Sequence, residues 1–172
     1  MLTRDEVRIA LEHNFKQLTD CLGQLTEEEL TANAVSGTWT AKDVLSHVWD
    51  WNEEATHTAR AWLAPRPWQA GVSYDDGWNE AHVNARRGLP LITVIDGATV
   101  AHRRLVNFLE GADDDALAEV GRAHWGAEMT LLEMLNDMAL HYAEHAQSLD
   151  RYQRTCLDAE EPPQDGGTSD AS

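Results

Sequence analysis

Cysteine is scarce in this sequence, with only Cys21 and Cys156 among 172 residues. Two thiols cannot build the disulfide framework that small secreted domains rely on, so both are expected to be reduced. Cations are also scarce: 13 Lys and Arg stand against 30 Asp and Glu, a formal charge of −17 with neutral histidines. Phosphate backbones and anionic lipid surfaces both demand compensating Lys and Arg, which counts against nucleic acid and membrane as partners. No apolar run approaches the roughly 20 residues of a membrane span. The stretch Met1 to Ala10 carries Arg4, Asp5, Glu6 and Arg8 and has no apolar signal-peptide core. The expectation is a soluble, cytoplasmic chain. Its length suits one domain with a substantial core.

What the chain does have is helical patterning, with an ordinary apolar share of 42% and 7 tryptophans. Thr3-x-x-Glu6 has capping-box form, and Val7, Leu11, Phe15, Leu18 and Leu22 recur behind it at helical spacing. This predicts a first helix over 4–23, ended near Gly23. Thr26-x-x-Glu29 starts a short turn. Thr40-x-x-Asp43 opens a second long helix that runs to Leu63, before Pro65. Residues 64–89 read as a long connection with a short helix over 78–87, either a lid over a site or a plain crossover. Pro90 opens a third long helix that runs to Glu110. Asp113 begins another short one, and His124-Trp125-Gly126 is a turn. Thr130-x-x-Glu133 opens the fourth long helix, to Arg154. The acidic, Pro- and Gly-rich segment 156–172 reads as a flexible tail behind a 1–155 domain. Four long amphipathic segments with few strand-like alternations predict an all-α four-helix bundle.

Eight histidines are present. His141 and His145 stand four apart, about one turn, which puts them on one side of a helix and lets both meet a single metal ion. His47 lies on the shoulder of the second helix's apolar stripe, facing the bundle in the same way. Three imidazoles from facing helices are a common catalytic zinc set with a position left for water or substrate. Such a metal would bring the pKa of bound water toward neutrality or activate a thiolate. Asp50, Glu54 and Glu144 are candidates to orient an imidazole or to act as general base. Trp51 and Trp78 are candidates for a pocket wall. His57 falls on the surface, and neither it nor His102 has a partner at ligand spacing. The bland alternative is a set of core histidines hydrogen-bonded to carboxylates or backbone.

The run Trp39-Thr40-Ala41-Lys42-Asp43-Val44-Leu45-Ser46-His47 resembles the second-helix motif of the DinB/YfiT-like four-helix bundle superfamily. In that family a tryptophan and a capping Ser or Thr precede an apolar turn ending in the first metal histidine. His141-Tyr-Ala-Glu-His145 resembles the paired histidines of its last helix. Asn79-x-x-His-Val-x-Ala-Arg-Arg-Gly-Leu-Pro-Leu is similar to the middle segment of the ClbS/DfsB-like branch. The resemblance implies a divalent metal, zinc or nickel, on His47, His141 and His145, and thiol-dependent transferase or isomerase chemistry using a low-molecular-weight thiol. The expected activity is metal-dependent hydrolysis or thiol transfer on a small electrophilic substrate. Two alternatives stand beside it: a ClbS/DfsB-like self-protection hydrolase with a tryptophan-lined pocket, and a non-catalytic bundle that binds a small molecule. A homodimer is left open.

Overall fold

The computed structural model describes residues 2–64 and 74–160, with side chains described to residue 155. Pro65, the rest of the connection to residue 73, the thiol of Cys156 and the tail from 161 onward lie outside the described residues. The elements run α1 (Arg4–Gly23), α2 (Glu27–Ala32), β1 (Ala34–Ser36), β2 (Trp39–Thr40), α3 (Ala41–Trp62), α4 (Asp76–Arg86), α5 (Leu91–Gly111), α6 (Asp114–Ala118), β3 (Val120–Arg122), β4 (Glu128–Thr130) and α7 (Leu131–Glu160). The bundle of four long helices is therefore present. Two antiparallel hairpins, β1–β2 and β3–β4, add to it, in stretches too short to show strand-like alternation.

The helix starts follow the caps. Thr3, Thr26, Thr40 and Thr130 each accept a hydrogen bond from the backbone N–H three residues on. The acidic residue at that third position reaches back to the threonine's own N–H. These reciprocal bonds satisfy donors that a helix leaves orphaned at its N-terminus. α7 continues six residues past the expected end at Arg154, to Glu160.

α1 packs along α7, and α3 along α5; α3 against α7 and α1 against α5 close the bundle. From α1 the core takes Val7, Leu11, Phe15, Leu18 and Leu22, and from α7 Leu131, Met134, Leu135, Met138, Tyr142 and Leu149. Each such side chain contributes about 1.5–3 kcal/mol on burial. α3 is different. Of nine buried polar or charged residues among the described ones, seven lie on it: Asp43, Ser46, His47, Asp50, Asn52, Thr56 and Thr58. A helix that buries this much polar surface needs partners for it, and it is here that a site is built.

α4 is fastened across α3. Asp50 receives Arg86 through both Nε and Nη2, and Arg87 pairs with Asp43 at 3.4 Å. Trp51 donates its indole N–H to Asn79, and Trp39 donates to Glu80. The Arg86 guanidinium also lies 3.7 Å from the centroid of the Trp49 ring. Trp49 in turn lies on α5 at Gly97, where a Cβ would overlap the indole. Alanine normally outranks glycine inside a helix by about 1 kcal/mol. At this position the sign is expected to reverse: Gly97→Ala should destabilise by about 1–3 kcal/mol through overpacking. Urea unfolding of the two proteins measures it, and a stabilised variant would contradict the packing described.

Candidate metal centre

His47 projects from α3 and His141 and His145 from α7, and their Nε2 atoms meet. His47 Nε2 lies 2.9 Å from His141 Nε2, which lies 2.8 Å from His145 Nε2. All three nitrogens fall within 4.8 Å of one another. His47 is buried and the other two are partly exposed. Burial holds the His47 imidazole down to about 3, aided by the neighbouring His145, and holds His145 at about 4. His141 is also held well below the usual imidazole range, by burial first and then by His145, His47 and His124. The three rings are thus neutral at pH 7.

Neutral rings arranged this way leave a hydrogen-bonding problem. A ring nitrogen offers one lone pair or one N–H in the plane of the ring. His141 Nε2 faces two such nitrogens, so it can satisfy only one of them. A cation accepts all three lone pairs at once. In a tetrahedral zinc site, Zn–N distances of about 2.0–2.1 Å put nitrogens roughly 3.3 Å apart, only slightly wider than the spacing here. The residues present fit a divalent ion.

Two of the three carboxylates expected to orient the imidazoles are engaged elsewhere. Asp50 is taken by Arg86, and Glu54 accepts the hydroxyl of Tyr74 at 2.8 Å. Glu144 is exposed. Among the described residues, Nδ1 of His47 and Nδ1 of His141 have no hydrogen-bond partner. Aromatic rings hold the imidazoles instead. Trp39 lies 5.0 Å from His47, and Trp51 lies 5.7 Å from His47 and 5.2 Å from His141, centroid to centroid. Trp78 touches neither histidine directly but reaches Trp51 at 6.2 Å and stacks on His82 at 3.8 Å.

Sequence reasoning missed His124. It is buried, held at about 4 by that burial, and among the described residues neither of its ring nitrogens has a hydrogen-bond partner. It sits in the turn between β3 and β4, which Gly126 closes with φ 95°. Around it are Trp125 at 4.6 Å, Trp51 at 5.0 Å and Tyr74 at 5.0 Å. Nothing in a three-residue strand or a turn carries periodicity, so composition of the turn was the only signal. His102, which no ligand-spaced partner accompanies in the sequence, stacks on Phe15 at 4.0 Å, with Nδ1 3.3 Å from the Tyr142 hydroxyl. That hydroxyl donates to Asn52 at 2.6 Å, tying α7 to α3 one residue from His141. His57 is exposed, as expected.

A family model for the DinB superfamily matches residues 10–149. The chain belongs to the DinB superfamily. Among solved structures, the bundle is similar to that of the sibling lethal factor precursor DfsB, with TM-score 0.76 and 10% identity over 91% of this chain and 98% of that one. It is similar to colibactin self-resistance protein ClbS, solved in complex with a dsDNA, with TM-score 0.73 and 16% identity over 88% and 95% of the two chains. A mycothiol-dependent maleylpyruvate isomerase gives TM-score 0.72 and 15% identity over 86% of this chain. The chain spans 61% of that isomerase's length. No curated protein matches. At these identities the shared property is the DinB-like fold.

The buried histidines set a pH dependence whose sign follows from their depressed values. An unfolded histidine takes up a proton near pH 6.5. Folded, His102 and His124 do so only near 4. Their stabilising contribution is therefore whole above about 6.5 and declines as pH falls toward 4, because the unfolded chain binds more protons in that window. Replacing His102 with Phe should flatten the decline by at most about 1.4 kcal/mol per pH unit. Urea melts at pH 7, 6 and 5 with a chelator present measure it, and parallel declines for both proteins would contradict the assignment.

Proposed function

We propose that this DinB-superfamily chain is a metal-dependent enzyme that acts on a small electrophilic molecule by hydrolysis or thiol transfer. His47, His141 and His145 are its ligands for zinc or nickel. The observation that carries the proposal is the convergence of three neutral Nε2 atoms on one point, with no hydrogen-bond pattern that satisfies them all. Bound there, a divalent ion supplies Lewis acidity and activates water or a thiol at neutral pH. The remaining work falls to the chain. Trp51, anchored by Asn79, walls the triad and excludes water on that side. His124 keeps a donor and an acceptor unspent beside the same wall. The cosubstrate is a low-molecular-weight thiol, in keeping with the mycothiol dependence of one fold neighbour. The working unit is residues 1–155, its setting the cytoplasm, and the acidic tail is dispensable.

A second reading is favoured by the aromatic cluster itself. Trp51 is ringed by Tyr74, Trp78, Trp125 and His124, which suits a tryptophan-lined pocket as in a self-protection hydrolase or a non-catalytic binder. Neither reading involves DNA, although ClbS was solved with it. A chain with a net charge of −17 lacks the cations that phosphate contacts require.

Metal content separates the readings. After growth with added zinc or nickel, the wild type should retain about one ion per chain. His47→Ala, His141→Ala and His145→Ala should each lose affinity by more than about 10-fold, since removing a ligand costs at least as much as removing its support. His57→Ala should match the wild type. Mass spectrometric metal analysis of the purified proteins reads this directly. Equal retention by all four variants would remove the metal from the account.

A further inference from the structure

A partly open apolar cavity lies among α1, α2, α3 and α5, apart from the histidine triad. It has a volume of about 210 Å³ and is lined chiefly by Phe15, Leu22, Leu30, Leu45 and Ile95, with Lys42 the one charged lining residue among those described. The space is partly open to solvent, Ile95 being exposed, and a volume of about 150 Å³ suffices elsewhere to hold benzene, so a short alkyl chain fits it on volume alone. Its two threonines do not make it polar. Thr19 donates its hydroxyl to Lys16 O at 2.9 Å, and Thr99 donates to Ile95 O at 2.8 Å. Both hydroxyls are thereby committed to their own helices. The Lys42 ammonium donates to Arg87 O at 2.8 Å, which occupies one of its three donors.

We propose that this cavity binds a small amphiphile whose apolar chain fills the space and whose anionic head, a carboxylate, pairs with Lys42. Charge complementarity selects the head. In a chain carrying −17, a lone ammonium beside an apolar hollow is where an anion is tolerated. The site is independent of the triad, because Leu45 and His47 sit on different sides of α3.

Octanoate is the probe, with octanol as the uncharged counterpart. Titrated into the wild type, octanoate should shift the methyl resonances of Leu22, Leu45 and Ile95 saturably and leave Met138 unmoved. Thr19→Phe and Thr99→Phe, which fill the cavity from two different helices, should weaken both probes by about 10-fold or more. Lys42→Met should weaken octanoate by roughly threefold to fivefold, the scale of an exposed ion pair, and leave octanol unchanged, whereas Lys42→Arg restores octanoate. Absence of saturable shifts would overturn the proposal. So would equal loss of both probes in Lys42→Met, which would assign the lysine to Arg87 alone. A dimer that octanoate dissociates would give the hollow to a second copy of the chain and overturn it as well.

Discussion

Placing three imidazoles on a shared point between α3 and α7 is the constraint to which the rest of this structure answers. Each ring must be desolvated to get there, and desolvation holds each one neutral. Neutral nitrogens at 2.8 and 2.9 Å are acceptable only in a frame rigid enough to hold them or with a cation between them. The frame is visible. α1 and α5 supply the apolar surfaces that fix α7 and α3, and the Tyr142 hydroxyl bonded to Asn52 sets those two helices in register beside His141. Asp50–Arg86 and Trp51–Asn79 hold α4 over the same end.

This arrangement substitutes aromatic rings for the carboxylates that commonly steer metal-binding histidines. Trp39 and Trp51 fix the orientation of His47 by contact, and its Nδ1 has no acceptor among the described residues. The consequence is chemical. A ring that donates to no carboxylate is a weaker electron donor, so an ion held here would be the more electrophilic. His124 adds a further imidazole, buried and with neither nitrogen partnered among the described residues, at the edge of the same aromatic wall.

Much of the fold was legible because helices announce themselves locally. Thr3, Glu6 and the Val7–Leu22 stripe bounded the first helix at the residues where α1 runs. The His141–His145 spacing and the shoulder position of His47 brought the triad together on the same local rule. Partners across the bundle were not legible. Periodicity placed Asp50 on the flank of His47, but Arg86, 36 residues away, claims it. His102 gave no sign of Tyr142, because a wheel describes one helix and says nothing of which helix lies opposite. The strands around His124 are three residues each, too short for any alternation to show.

The most direct measurement is anomalous scattering from crystals of the protein grown with zinc or nickel, collected at the metal's absorption edge. One strong peak is expected equidistant from Nε2 of His47, His141 and His145, at about 2.0–2.1 Å from each for zinc. A map with no peak there, or with its strongest peak on surface carboxylates, would contradict it and return the three histidines to a purely structural role.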